Sequence, residues 1–288
     1  MTEQPTHRTE ASNEDLESRL RTAGLYVALY GAAFLFLLPY LWMISTSLKP
    51  KGQLFSQVPH WIPSEITFAW YRQVLTQSLI VEWTINTFII AVSTTVLVLV
   101  VDSLIAFSLT RLDWPGKNVV LAVIVASFMV PTYVNIVPLY TLVSELGLLN
   151  NYLAVILPLT AGPLGVFLLV QFFRDFPDEV EEAARLDGFS SFQIYTRLVL
   201  PLMKSPLTAL ALFTFVTSWN NFLWPLLVLQ SNKLYTLPIG LVTLSNSQVF
   251  QPGLAMAATL IASLPLFIVF LMLQDYLINA IQIQGTTG

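Results

Sequence analysis

The sequence predicts an all-α polytopic membrane protein with six transmembrane helices, and three observations predict it. Of the 288 residues, 55% are hydrophobic and only 10% are charged, whereas a soluble domain carries about 25% charged residues. The charges are clustered, so long charge-free intervals alternate with short polar ones. Each apolar interval exceeds the ~20 residues that a helix needs to cross the hydrocarbon of a bilayer. Lipid cannot hydrogen-bond to the backbone, so the spanning segments must pair their own amides, and helices do this.

Residues 1–22 are polar and acid-rich (Glu3, Glu10, Glu14, Asp15, Glu17) and make a poor signal peptide. They read as a tail, helical from Glu14 and otherwise disordered. The membrane domain follows over 23–276. Its first span covers about 24–45, and residues 49–82 form a mixed loop with interfacial rings at Trp61, Trp70 and Tyr71. The second span, about 85–109, contains one charge, Asp102. The charge-free intervals 118–144 and 146–173 supply the third and fourth. The fifth lies within 205–232, with Trp224 beside Pro225 as an interface anchor, and the sixth covers about 253–275. Residues 277–288 are a second tail. Prolines 131, 138, 158, 163, 206, 225 and 265 predict kinked helices able to line a cavity.

Orientation follows from lysine and arginine. With the N-terminus inside, nine of these residues lie inside and four outside, which places both tails and residues 174–204 in the cytoplasm.

Several functions are excluded by what the chain lacks. Without cysteine there are no disulfides, thiolate metal sites or cysteine catalysis. The two histidines, His7 and His60, lie outside the apolar runs, so no metal centre is expected. There is no G-x-x-x-x-G-K-[ST] run to hold a nucleotide. No Ser-His-Asp set is available either. The expectation is a protein with no catalytic residue, no directly bound cofactor and no nucleic-acid partner, facing membrane lipid.

Residues 174–204 are the exception to the apolar pattern, holding ten of the 30 charged side chains. Pro177 suits a first helical turn, and Asp178 and Glu179 place negative charge near the helix N-terminus. Val180, Ala183 and Ala184 make a narrow face of small residues, and Glu181 and Arg185 are spaced for an i,i+4 pair. Asp187–Gly188 breaks the helix, since glycine accepts the positive φ of a C-cap. A second short helix starts at Ser190 and ends at Leu200–Pro201.

The wording of this segment is informative. Glu182-Ala183-Ala184, then Gly188, then Leu198-x-Leu200-Pro201 resembles the EAA motif of permease subunits of bacterial binding-protein-dependent ABC importers. Asn86-Thr87, Arg111 with Pro115-Gly116-Lys117, Met129-Val130-Pro131, Leu146-Gly147-Leu148, Arg185-Leu186-Asp187-Gly188 and Trp219-Asn220 are similar to the MalG-like, carbohydrate-uptake type. The likeness covers roughly 24–276. It departs at the C-terminus, where the family's lysine-bearing tail is replaced by Asn279–Gly288 without a lysine.

The resemblance implies that 174–204 is a coupling loop seated in a cleft of a cytoplasmic ATPase. It assigns the contact to Glu182, Ala183, Ala184, Asp187, Gly188, Leu200 and Pro201. It also implies a second permease subunit, two ATPase subunits that bind ATP and Mg, and an extracytoplasmic solute-binding protein. Gly188→Asp or Ala184→Arg is then expected to leave the chain in the membrane but uncouple transport. The rival class is a self-sufficient secondary transporter, which usually shows inverted repeats and mid-membrane coupling acids.

Polar residues at membrane depth supply the remaining candidates. Trp219, Asn220 and Asn221 in the fifth span, with Tyr133 and Asn135 in the third, offer amides and ring faces suited to a sugar; they equally suit helix-to-helix hydrogen bonding. Asp102 is an intramembrane acid, hence a functional candidate. Its alternative is a protonated or hydrogen-bonded carboxyl packed against another subunit.

Overall fold

The computed structural model describes residues 6–55, 60–160, 162–245 and 251–285. Among them there is no strand. α1 (Thr6–Ser47), α2 (Lys51–Leu54) and α3 (Ala69–Gln77) lead into the 32-residue α4 (Ile80–Arg111). Then come α5 (Lys117–Ser127), α6 (Ile136–Glu145), α7 (Tyr152–Leu159) and α8 (Pro163–Arg174). The polar segment holds α9 (Asp178–Leu186), α10 (Ser191–Ile194) and α11 (Leu200–Leu202). α12 (Lys204–Trp219), α13 (Leu223–Val228), α14 (Leu237–Ser245) and α15 (Pro252–Gly285) complete the chain.

Two compact units are present. One comprises residues up to 72 together with 252–260. Its centre is Trp70, whose Nε1 donates to the Lys49 carbonyl at 2.8 Å and whose ring leaves no room for a Cβ on Gly253. Trp70 is thus a buried packing residue rather than the interfacial ring expected. The Lys49 ammonium lies 4.3 Å from the Trp42 ring centroid, and burial pushes its pKa below the usual lysine value. α1 is helical from Thr6, earlier than the expected start at Glu14.

In the other unit, residues 73–251 with those after 260, α4 is the central post. α7, α8, α12 and α14 pack around it. Its small Ala91 and Ala106 are fully buried, letting neighbouring backbones approach closely, as packing between membrane helices favours. One core cluster gathers Phe107, Leu169, Phe173, Ile194 and Tyr195, and another gathers Ile90, Val143, Val155, Trp224 and Val228. Trp224 is therefore not an interface anchor: it is buried, and its Nε1 donates to the Ala154 carbonyl at 2.9 Å.

Asn86 ties the segment after α13 to α4. Its Nδ2 donates to the carbonyls of Lys233 at 2.7 Å and Tyr235 at 2.9 Å, while its Oδ1 accepts from the Tyr152 hydroxyl at 2.7 Å. Trp83 Nε1 adds a bond to the Asn232 carbonyl. Gly147, at φ 68°, ends α6 with Leu148 N–H bonded to the Val143 carbonyl, a Schellman-type stop.

The later spans are broken rather than kinked. After α5, the amides of Phe128, Met129 and Val130 close tight turns, and a 3-10 turn over Thr132–Asn135 follows Pro131. Proline lacks the N–H and restricts the residue before it, so an α-helix stops there. α7 and α8 are separated before Pro163, and α12 and α13 at residues 220–222. Among the described residues, three helices are long and apolar enough to cross a membrane, or up to five when each bent pair counts as one. The six expected spans are not reached on that measure, because α5 and α6 have only 11 and 10 residues.

Candidate functional site

The polar segment is built on the C-terminal ends of α4 and α8. α9 begins after Pro177, which occupies the N-cap in extended conformation instead of the first turn. Asp178, Glu179 and Glu181 fall in its first turn, where carboxylates interact favourably with the helix dipole. It ends at Gly188, φ 83°, with Gly188 N–H on the Arg185 carbonyl (3.0 Å) and Phe189 N–H on the Ala184 carbonyl (2.9 Å). This Schellman motif fixes the exit of the chain. Ser190 and Gln193 then form a reciprocal capping box that starts α10.

The second helix does not stop at Leu200–Pro201. A π-turn over Tyr195–Val199 leads directly into α11, with the Leu200 amide on the Tyr195 carbonyl. The wider turn absorbs the donor that Pro201 lacks, and the Met203 amide reaches the Val199 carbonyl at 2.9 Å. The run Ser191–Leu202 meets α12 at a bend of 78°, two residues later than expected.

The small-residue face divides. Ala184 is only 7% exposed and belongs to the core, beside Glu181, whereas Glu182, Ala183, Asp187 and Gly188 face outward. Leu200 is half-buried and Pro201 exposed. Ala184→Arg would therefore force a cation into the core, so it cannot serve as a selective block on docking. Leu186, with 90% of its surface exposed, is the prominent apolar side chain of the outward face.

One side chain organises this site. Arg111, the last residue of α4, is 6% exposed at its side chain. Its Nε donates to the Phe173 carbonyl at 3.1 Å, and its Nη2 to the carbonyls of Phe173 and of Phe176 (2.7 Å). Nη1 pairs with Asp178 at 2.5 Å and lies 3.6 Å from Glu181. Glu181 in turn accepts from Arg185 Nη2 at 2.6 Å and Nε at 3.1 Å. At the rim, Lys117 bonds Asp113 at 2.8 Å and, by that bond and its charge, holds the Asp113 carboxyl below its usual pKa.

The membrane-depth candidates fall into separate groups. Trp219 is buried and stacked on Phe215, with centroids 5.6 Å apart. Asn220 is exposed and donates to the Val216 carbonyl at 2.8 Å, and Asn221 is half-buried; both sit in the break after α12, not within a helix. Tyr133 and Asn135 are exposed in the 3-10 turn. Among the described residues no hydrogen bond joins these two groups. Asp102 is fully buried within its own chain, against Gly165 of α8, and neither carboxyl oxygen has a hydrogen-bond partner among the described residues. This corrects its expected placement against another subunit.

The profile of the family described as "Binding-protein-dependent transport system inner membrane component" matches residues 103–283. The chain belongs to this family. The permease is 33% identical over 259 residues to the arabinooligosaccharides transport system permease protein AraQ of Bacillus subtilis, covering 89% of this chain and 92% of that one. It is 32% identical over 268 residues to the lactose transport system permease protein LacG of Rhizobium radiobacter, covering 90% and 94%. Its fold matches the crystal structure of a bacterial ABC transporter involved in import of the acidic polysaccharide alginate, with TM-score 0.82 at 22% identity, over 90% of this chain and 97% of that one. None of these likenesses supports a self-sufficient secondary transporter.

Two residues of the permease's site were not singled out as contacts by sequence reasoning. Leu186 was readable in principle, as a lone large apolar residue in a charged segment. Arg111 reads only as a positive-inside residue and as part of the family-like run with Pro115-Gly116-Lys117, because its partners lie 62 to 70 positions away.

Proposed function

We propose that this permease forms half of the membrane pathway of an ATP-driven importer for a carbohydrate or carbohydrate-like solute. Its six spans carry both termini and the 174–204 loop on the cytoplasmic side. A second permease completes the pathway, two ATPase subunits bind ATP and Mg and supply the hydrolysis, and a solute-binding protein delivers cargo from outside. The permease itself catalyses no reaction.

The observation that carries this reading is α9, a nine-residue helix outside every apolar span with Glu182, Ala183, Leu186 and Gly188 turned outward on an ionic mount centred on the buried Arg111 guanidinium. Leu186, with 90% of its surface exposed next to the Asp187–Gly188 turn, suits docking of a short helix into a partner's groove that covers it. The carbohydrate class is supported by relatives named for arabinooligosaccharide and lactose transport.

For the pathway, the breaks at 128–135 and 220–222 supply the argument. Non-helical backbone at membrane depth is tolerated only where protein covers it or a wet cavity adjoins it. Tyr133, Asn135, Asn220 and Asn221 lie at these breaks and are the solute contacts; Trp219, buried on Phe215, precedes Asn220 and Asn221.

The test is uptake of labelled oligosaccharides into liposomes containing the assembled complex, with ATP enclosed and the binding protein outside. Uptake that requires enclosed ATP and ignores a protonophore is expected. Uptake driven by a proton gradient without ATP overturns the reading.

A further inference from the structure

α9 has almost no apolar anchor of its own. Of its nine residues only Glu181 and Ala184 are buried. A helix held so lightly takes its position from whatever grips its polar side, and that grip is Arg111. The guanidinium meets two carbonyls at the end of α8, where a helix leaves acceptors unpaired and favours positive charge. The same group takes Asp178 and Glu181 from the first turn of α9. Standing at the end of its own helix, it therefore joins that end to those of α8 and α9.

We propose that Arg111 is the positioning residue through which displacement of α9 is passed to α4 and α8. This rests on the docking of α9 to an ATPase described above. The geometry requires arginine, because a planar fork can address two carbonyls and a carboxylate in fixed directions, whereas a lysine ammonium is a single mobile point. The guanidinium and the Glu181 carboxylate are nearly buried, so that part of the joint is little screened by solvent, while Asp178 stands exposed at the rim. α4 also packs on α12 and α7, so a push delivered to α9 reaches the post around which these helices stand.

The experiment measures solute imported per ATP hydrolysed by the complete transporter in liposomes. Arg111→Lys is expected to assemble with the ATPase and lower that ratio about tenfold, the scale of a lost coupling contact. An unchanged ratio in the assembled complex overturns the proposal. A purely structural role would instead reduce the amount of complex and leave the ratio alone.

Should R111K fail to assemble, the double variant R111C/D178C decides. The chain has no native cysteine, so a bifunctional thiol reagent bridges only the engineered pair within it. Coupling lost with free thiols and recovered on bridging supports the joint; no recovery overturns it. Leu186→Ser, on the outward face, separates this from the underlying reading. If it uncouples while Arg111→Lys does not, the Arg111 proposal falls alone. If Leu186→Ser also couples normally, the docking reading falls.

Discussion

Gly165 of α8 lies directly against the carboxylate of Asp102 on α4. A methyl group at Gly165 would overlap Asp102 Oδ2 and stand 3.2 Å from Leu210 Cδ1. Gly165→Ala is expected to destabilise the folded permease by about 1–3 kcal/mol through overpacking. Trimming the opposing group in Gly165→Ala with Asp102→Ala should recover much of this. Thermal unfolding in detergent measures both, and a wild-type midpoint for Gly165→Ala would show that the two helices can part cheaply.

Asp102→Asn asks whether charge at this position is used. Both carboxyl oxygens are buried without a hydrogen-bond partner among the described residues, and the amide has nearly the same shape. Uptake by the assembled transporter should stay near wild type. A loss of uptake with normal expression would assign the charge a role.

At the other end of α4, Asn86 engages two carbonyls and one hydroxyl. Asn86→Ala leaves those groups without their partner, at a cost of about 1–3 kcal/mol for a buried unpaired group. Tyr152→Phe removes one bond and should cost about 1 kcal/mol. Hydrogen exchange should rise over residues 232–237 in Asn86→Ala. Unchanged protection there would refute the claim that Asn86 pins this segment.

Gly188 occupies the left-handed region with open space around it. An alanine there costs about 1–2 kcal/mol in backbone strain alone. Asparagine accepts this conformation more readily, so Gly188→Asn should keep the helix end. Gly188→Asp should accumulate in the membrane yet fail to couple, because its carboxylate projects on the docking side. ATPase co-purification together with uptake checks both variants, and normal coupling in Gly188→Asp would remove Gly188 from the contact.

Charge-free intervals located the long apolar helices at 19–47, 80–111 and 252–272 because desolvation acts residue by residue, whatever the fold. Motif spacing likewise located α9 and its glycine stop, both of which depend on neighbours within one turn. The breaks in the third, fourth and fifth spans were not legible: hydropathy does not register where a backbone ladder is interrupted, and Pro131 or Pro163 is compatible with either a kink or a stop. Trp224 looked like an interface anchor because its acceptor, the Ala154 carbonyl, lies 70 positions earlier. Arg111 was hidden for the same reason. Spacing rules read local partners, while this site is assembled from ends of helices far apart in the chain.

The interrupted spans have a consequence for solvation. Each helix end leaves about four amide or carbonyl groups without a helical partner, and the tight turns at 128–130 close only some of them. Hydrocarbon cannot satisfy the remainder, so water, neighbouring protein or a hydroxylated solute must lie along them. The main chain thus furnishes wettable patches inside spans whose side chains are largely oily. Peptide groups by themselves discriminate poorly between one polyhydroxylated molecule and the next, so any selectivity at these breaks falls to the few side chains beside them, Tyr133, Asn135, Asn220 and Asn221.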